Sequence, residues 1–475
     1  MTGERGQASV EYTALLAVVA VLFAAVLLSD LPPPEAPSWL AAAMCAAWKG
    51  DRCAPSTEPS RPPVALGARR APPRSSGPPS TPGAQPGPAS SERTAKTATV
   101  SPSRSRAPVA VNLSALPGAG PAAARVLDRL PPAEGLRLAE RHPEIVGPLD
   151  GAPPPMRYAA NRVLMERAVA DLDAEVARID REIARHRAAI AAGADPLARY
   201  ARIRSGERNR ELLASRSRRF SRWVADPRRN FLLFDPRGDG RVAEVVGDLD
   251  GAPHVAVMVP GTGSDIDNFD DHLAPRAHEL RAAARRHAGA DVAVVAWLGY
   301  DPPDTIPGAA LGGRARNGGQ ALSRFVESVE VRGDPHTTVV GHSYGSVTTG
   351  NAAAGWRMPA DDVVFTGSPG TGGRRRDVSA LGGGSRIWAG EAPYDLVAPA
   401  PVHGEAPGDP GFGARLFDAS GEERPPNQVV HNHQSYYRRG SASMRNLANI
   451  AGAWPDDVTP PPPRRSLLPR SRGFW

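Results

Sequence analysis

The chain has 475 residues and a formal net charge of +7, carried almost wholly by arginine, since lysine occurs only at Lys49 and Lys96. That length accommodates two or three domains with proper cores, and with no recognition motif beside the basic excess nucleic acid is not expected as a partner. Cys45 and Cys53 are the only cysteines, which excludes a disulfide scaffold and a four-ligand zinc site and leaves open one local disulfide outside the membrane.

The chain begins MTGERGQASVEYTALLAVVAVLFAAVLLSD, uncharged from Tyr12 to Leu28, which is about the lower limit for a spanning helix. Arg5 on the N-terminal side fits a cytoplasmic N-terminus, although Glu4 weakens the bias, and LLSDLPPP offers no small-x-small cleavage site. Gly6 is followed by Gln7, and the Glu11-Tyr12 pair opens the apolar run. This arrangement resembles the leader of type IV pilins, in particular the Flp and TadE-like group. The resemblance implies cleavage after Gly6 by a prepilin peptidase, with Glu11 at the start of the helix. A plain signal anchor is the other reading. Either one places the rest of the chain on the extracytoplasmic side, held at the cell membrane or released to the cell surface.

Residues 31–108 are dominated by Pro, Ser, Ala, Gly and Arg, as in RSSGPPSTPGAQPGPASSERT. So few apolar side chains cannot offset the entropy of ordering, so a disordered linker is expected there. Residues 456–475, rich in proline and arginine, read as a tail. Residues 109–228 read as helical. Their best segment places Val169, Leu172, Val176, Ile179, Ile183 and Ile190 at alternating spacings of three and four, with His186 in the same seam. Packing of this seam on its own domain and an oligomerising coiled coil are both open, and the arginines that follow read as a solvated face or an anionic-lipid contact.

From residue 229 to 455 the pattern changes to short apolar runs that end in Gly, Pro or Asp. FLLFDPRGDGRVAEVVGD predicts a hairpin turning at Gly238-Asp239-Gly240. HVAVMVPGTGS, DVAVVAWLGY, HTTVVGHSYG, DDVVFTGSPG and SRIWAGEAPYD follow, and helical segments separate the first three. Continuous apolar strands alternating with helices predict an α/β domain, a mostly parallel sheet with helices on both faces. Active sites of such sheets lie in the loops at the carboxyl ends of the strands.

One of those ends carries Gly341-His342-Ser343-Tyr344-Gly345, a G-x-S-x-G pattern. Composition alone would supply one such match roughly 0.3 times in a chain of this length, so context decides. Here a buried strand precedes the pattern and a small-residue segment fit for a helix follows, as a nucleophile elbow requires. Gly341 and Gly345 leave room for the sharp turn, and Ser343 stands at the helix N-terminus. The base and its orienting acid should follow in the order acid, then histidine. Asp395 ends a predicted strand, with Glu391 and Asp409 as weaker acids, and His431 and His433 lie before the last helix. The oxyanion donors are expected from the Tyr344 amide and from the loop VPGTGS, at Thr262 or Gly263. Trp297, Tyr300 and Asp301 either line the pocket or pack. No G-K-[S/T] follows the glycine-rich loop, so it is not read as a phosphate cradle, and the spacing of His403, His431 and His433 does not predict a metal site. No cofactor is expected.

The motifs VGPLDGAP, FDPRGDGRVAEVVGD, VPGTGSDIDNF, AWLGYDPP, GHSYGS, SPG and HQSYY, spread from Arg141 to Gly452, together resemble an actinobacterial α/β-hydrolase family long catalogued as a domain of unknown function. The resemblance implies Ser343 as nucleophile, Asp395 as acid and His433 as base, the last because it stands three residues before Tyr436. His403 is implied to be structural or substrate-facing. The resemblance implies no substrate. The expectation is a membrane-tethered or secreted serine hydrolase acting on an ester, with esterase, lipase and peptidase activities not separable. The alternative is a non-catalytic hydrolase-fold component of a pilus or secretion system.

Overall fold

A computed structural model describes residues 121–330, 333–373, 375–398, 402–421 and 429–462. The leader with Gly6 and Glu11, the apolar run, the linker with both cysteines and the last part of the tail lie outside the described residues. Among the described residues no helix is long and apolar enough to cross a membrane.

The runs read as strands form β1 (Asn230–Asp235), β2 (Arg241–Val246), β3 (His254–Val259), β4 (Val292–Leu298), β5 (His336–His342), β6 (Asp362–Thr366) and β7 (Arg386–Gly390), joined by a two-residue β8 (Arg415–Leu416). They make one sheet in the order β1-β2-β4-β3-β5-β6-β7-β8. The β1–β2 hairpin turns through left-handed Gly238 and Gly240, and β2 also pairs antiparallel with β4; every later pairing is parallel.

Alternation along the strands sorts side chains to two cores. Ala256 and Met258 of β3, and Val292, Val294 and Ala296 of β4, join one apolar cluster with helices α4 (Leu273–Ala283) and α8 (Ala442–Ala451). Val255, Val257 and Val259, with Ala293, Val295 and Trp297, join the other with α5 (Gly313–Glu330) and α6 (Tyr344–Trp356). The sheet is therefore covered on both faces, and the crossovers bring the ends of β3, β4, β5, β6 and β7 to one side.

The helical region before the sheet contains α1 (Pro132–Arg141), α2 (Pro154–Ala191) and α3 (Pro196–Ala225). The base of the α2–α3 pair docks on β1. Asn161 Nδ2 donates to the Phe231 carbonyl at 2.9 Å and Arg157 Nε to the Leu232 carbonyl at 2.9 Å, while Phe220 and Trp223 enter the first cluster. The predicted seam is packed within its own chain. Ile179 and Ile183 bury against Ile203 of α3, and Asp180–Arg210 (2.7 Å) and Glu207–Arg187 (2.6 Å) bridge the two helices antiparallel. A short turn keeps the second helix at high effective concentration, so the heptad seam finds its partner within the chain. His186 contacts Arg199 there at 3.4 Å.

Candidate active site

Ser343 lies between β5 and α6 with φ 56° and ψ −130°. An L-residue is strained there, and the surroundings leave it no alternative. A Cβ on Gly341 would stand 2.7 Å from Thr349 Oγ1, and one on Gly345 would stand 2.6 Å from the Pro260 carbonyl oxygen. Side chains at either position would push the turn off the sheet, which is the physical content of the two glycines. The turn is further pinned by the Ser343 amide, which donates to the Thr366 carbonyl at 3.1 Å. Ser343 itself remains partly exposed.

The loop after β3 runs against this turn. A Cβ on Gly261 would stand 3.1 Å from Ser343 Oγ, so only glycine fits beside the hydroxyl. Of the two donors expected from this loop, Gly263 is corrected: its amide donates to the Pro303 carbonyl at 2.8 Å, and its backbone sits at φ 75°. Its glycine serves the turn, and its N–H points away from the hydroxyl. Thr262, next to Gly261, is the candidate donor that remains in this loop. Tyr344 is the other candidate, because the first amides of α6 have no intrahelical acceptor. Asn268 Nδ2 holds the loop by donating to the Gly263 carbonyl at 2.8 Å.

Asp395, in the loop after β7, and His433, on a short helix near the chain's end, meet close to this turn. His433 Nδ1 lies 3.0 and 2.9 Å from the two Asp395 carboxylate oxygens. His431, two residues earlier on the short helix α7 (Val429–Gln434), has no such acid among the described residues. Both members of the pair are buried. Asp395 Oδ1 also accepts from the Val397 amide at 2.9 Å, and Oδ2 accepts from Tyr436 Oη at 2.5 Å. Burial raises the Asp395 pKa, but the His433 charge and these donors outweigh it and hold the pKa at about 2. The carboxylate is thus ionised and fixes the Nδ1–H tautomer. His433 Nε2, on the other side of the ring, is buried and makes no hydrogen bond among the described residues.

The backbone links this pair to the elbow. His342, directly before Ser343, donates from Nε2 to the His433 carbonyl at 2.8 Å, and the two rings stand 4.9 Å apart. Burial pushes the His342 pKa well below the usual range, with the His433 and Arg276 charges acting in the same direction. Its neutral ring can donate one N–H and carries no charge. Gly367, directly after the Thr366 that holds Ser343, lies under the Asp395–His433 pair: a Cβ there would meet Tyr436, Asp395 Oδ2 and His433 Cε1 at 2.9–3.1 Å. Tyr437 Oη bonds Thr366 Oγ1 at 3.0 Å, and the Arg276 guanidinium packs 5.0 Å over the Tyr437 ring while donating to Gln434.

Of the two readings open for Trp297 and Tyr300, pocket or packing, the structure shows packing. Both are buried and stack with their ring centroids 6.0 Å apart against α5. Tyr300 Oη donates to the Pro260 carbonyl at 2.6 Å, which steadies the loop after β3. Asp301 lies at the surface in an ion pair with Arg314 at 2.6 Å. His403 bonds the Ala309 carbonyl through Nε2 at 2.6 Å, so its part is structural. Asp409 caps a short helical turn by accepting from the Gly411 amide at 2.7 Å. Among the described residues no group of three or more His, Cys, Asp or Glu side chains is placed to hold a metal ion.

Sequence reasoning missed His342, Tyr436 as the second donor to Asp395, Gly261, Gly367 and Arg276. Tyr436 had a signal, the H-x-x-Y spacing, which served there only to choose between two histidines. Gly261 and Gly367 could be seen only as glycines in a glycine-rich chain.

Comparison with known proteins agrees with the geometry at the level of fold. Residues 235–404 match the family model described as alpha/beta hydrolase, and the molecule has the α/β-hydrolase fold. An uncharacterized protein of Mycobacterium tuberculosis strain H37Rv is 32% identical over 384 residues, covering 72% of this chain and 57% of its own length. An uncharacterized protein of Mycobacterium bovis is 36% identical over 161 residues, covering 31% of this chain and 60% of its own length. The chain therefore spans less than two thirds of these curated relatives. Among solved structures, a dienelactone hydrolase from Anabaena variabilis superposes with a TM-score of 0.30 at 14% identity, covering 49% of this chain and 99% of that one. A carboxyl esterase from the fungus Tuber melanosporum superposes with a TM-score of 0.32 at 13% identity, covering 48% and 87%. Likenesses this distant carry no weight for activity.

Proposed function

We propose that the protein is a serine hydrolase that cleaves an ester through an acyl-enzyme on Ser343. The observation that carries this reading is the state of His433: Nδ1 is committed to an ionised carboxylate, Nε2 makes no hydrogen bond among the described residues, and the His433 carbonyl is bonded by His342, the residue next to the strained Ser343. Ser343 Oγ attacks the ester carbonyl while His433 Nε2 takes its proton. The Tyr344 and Thr262 amides receive the charge that develops on the carbonyl oxygen, each worth roughly 3–4 kcal/mol of barrier by comparison with such donors elsewhere. The imidazolium, stabilised by Asp395, returns the proton to the leaving alkoxide, and the alcohol departs. Water then attacks the acyl-enzyme, its proton passes to His433, and collapse releases the carboxylic acid with Ser343 reprotonated.

The uncharged run at the N-terminus supports a membrane tether or export signal, with the hydrolase on the extracytoplasmic side. The direct test of the chemistry is labelling by a fluorophosphonate probe. The chain is expected to label, and Ser343→Ala to lose the label together with ester hydrolysis. Labelling that survives the substitution would remove Ser343 as nucleophile.

A further inference from the structure

The loops around Ser343 are fixed on their inner side and apolar on their outer side. The segment after β4 is held from within by four bonds. The Gly263 amide donates to Pro303 O, Tyr344 Oη to Leu311 O at 2.7 Å, the Ala315 amide to Tyr344 Oη at 3.2 Å, and His403 Nε2 bonds Ala309 O. Two of these run to the residue next to the nucleophile. The same segment turns Ile306 (47% exposed) and Leu311 (71%) to solvent. On the Asp395 loop, Tyr394 (46%) and Leu396 (55%) are exposed on either side of the buried acid. Tyr394 is held at φ 61°, a left-handed conformation that an aromatic residue rarely adopts, and its carbonyl accepts from Asn432 Nδ2 at 3.4 Å.

Scattered exposed apolar side chains are ordinary on a protein surface, but large ones on two anchored segments, one bonded to Tyr344 beside Ser343 and the other carrying Asp395, point to a binding surface. Polar anchors hold these loops in place while their apolar side chains stay out of the core, so the exposure is part of the folded arrangement. Resting on Ser343 as the nucleophile, we infer that Ile306, Leu311, Tyr394 and Leu396 receive a hydrocarbon chain of the substrate, and that the enzyme acts on esters of long apolar acyl groups. Neither segment places an arginine or lysine beside Ser343 to select an anionic substrate.

The test uses the full chain and p-nitrophenyl esters from acetate to octanoate. Each methylene fully buried is worth up to about fourfold in kcat/KM, so octanoate is expected to exceed acetate by at least about tenfold. The double variant Leu311→Ser with Leu396→Ser should lower the octanoate-to-acetate ratio about tenfold, whereas Trp454→Ser, an exposed apolar residue after α8, should leave that ratio at the wild-type value. A flat chain-length series, or a ratio that the double variant does not move, overturns the proposal. Octanoate rates that saturate below the solubility limit would identify a dissolved single chain as the ligand, and a jump at that limit would identify a lipid surface; both support the hydrocarbon site. Loss of the nucleophile reading has a separate signature, the absence of Ser343-dependent turnover with every ester, acetate included.

Discussion

Two histidine–aspartate pairs occupy opposite ends of this sheet, and they differ in what the histidine has left to give. At the carboxyl ends of the strands His433 meets Asp395. At the amino ends His336 Nε2 meets Asp362 Oδ2 at 2.7 Å, and its Nδ1 faces Asp361 at 3.6 Å. Both ring nitrogens of His336 therefore face carboxylates. Asp362 is equally occupied, since Arg386 bonds both its oxygens at 2.8 and 2.7 Å and Trp388 Nε1 donates at 2.7 Å. That second pair ties β5, β6 and β7 together, with the His336 Nε2 and both Asp362 oxygens bonded. The pairing of His with Asp is common to both ends; an Nε2 without a hydrogen bond among the described residues occurs at the end that carries the strained serine.

The largest expected contrast comes from removing each histidine. His433→Ala should lower kcat by about a millionfold, as loss of the base does in serine hydrolases, while His336→Ala should leave kcat of the folded protein within about threefold. Steady-state kinetics with one activated ester reads both, and a comparable loss in the two variants would erase the distinction between the ends.

The aspartates should separate along the same line but with different observables. Asp395→Asn is expected to cost about ten-thousandfold in kcat, because an amide can hold the ring in the wrong tautomer. Asp362→Ala leaves the Arg386 charge and a buried indole N–H without their acceptor, and should cost about 3–5 kcal/mol of stability. Denaturant unfolding measures the second effect. Full stability of the Asp362 variant would show that the lower pair is not a clamp.

Acid titration sharpens the comparison further. Both carboxylates have lowered folded-state pKa values, Asp362 because His336, Arg386 and Trp388 overcome the desolvation that would raise it. A lowered pKa gives stability that is present above the unfolded value near 3.8 and is lost as pH falls through the folded value. For Asp395, moving to about 2, the contribution is about 2 kcal/mol at neutral pH, lost between about pH 4 and 2. Asp395→Asn should flatten the stability–pH curve in that window, and a curve parallel to wild type would deny the shift. The smallest effect expected is that of Tyr436→Phe, which removes one of several donors to Asp395 and should cost about 1–2 kcal/mol in kcat/KM, seen as a drop of roughly tenfold.

Much of the site was legible because elbow chemistry is local. The strand, the two glycines, the serine and the following helix lie within one short stretch, and each is required by the turn's own sterics. Asp395 was legible as the acid at a strand end. The choice between His433 and His431 was not settled by the residues themselves, because both lie in one short segment; the structure gives Asp395 to His433 alone. Trp297 is open between pocket and packing on its residues alone, although the alternation of β4 points to packing, since Ala293, Val295 and Trp297 share the face covered by α5. Gly263 was misjudged. A glycine announces conformational freedom, but not the direction in which its amide points, and that direction follows from where Pro303 happens to lie.

What the sequence determined by itself is what depends on near neighbours along the chain: the strands and their two-faced burial, the elbow, the hairpin at Gly238-Asp239-Gly240, and the order of acid and histidine. The tertiary structure alone decided what depends on groups that meet from distant segments. It joined the seam of α2 to α3 within one chain, gave Asp395 its second donor from Tyr436, and brought the Thr366–Gly367 backbone under both Ser343 and His433. It also left Nε2 of His433 without a hydrogen bond among the described residues while bonding Nε2 of His336 to Asp362. Hydrogen-bond partners across such separations are set by how the sheet is ordered and covered, and no local pattern encodes them.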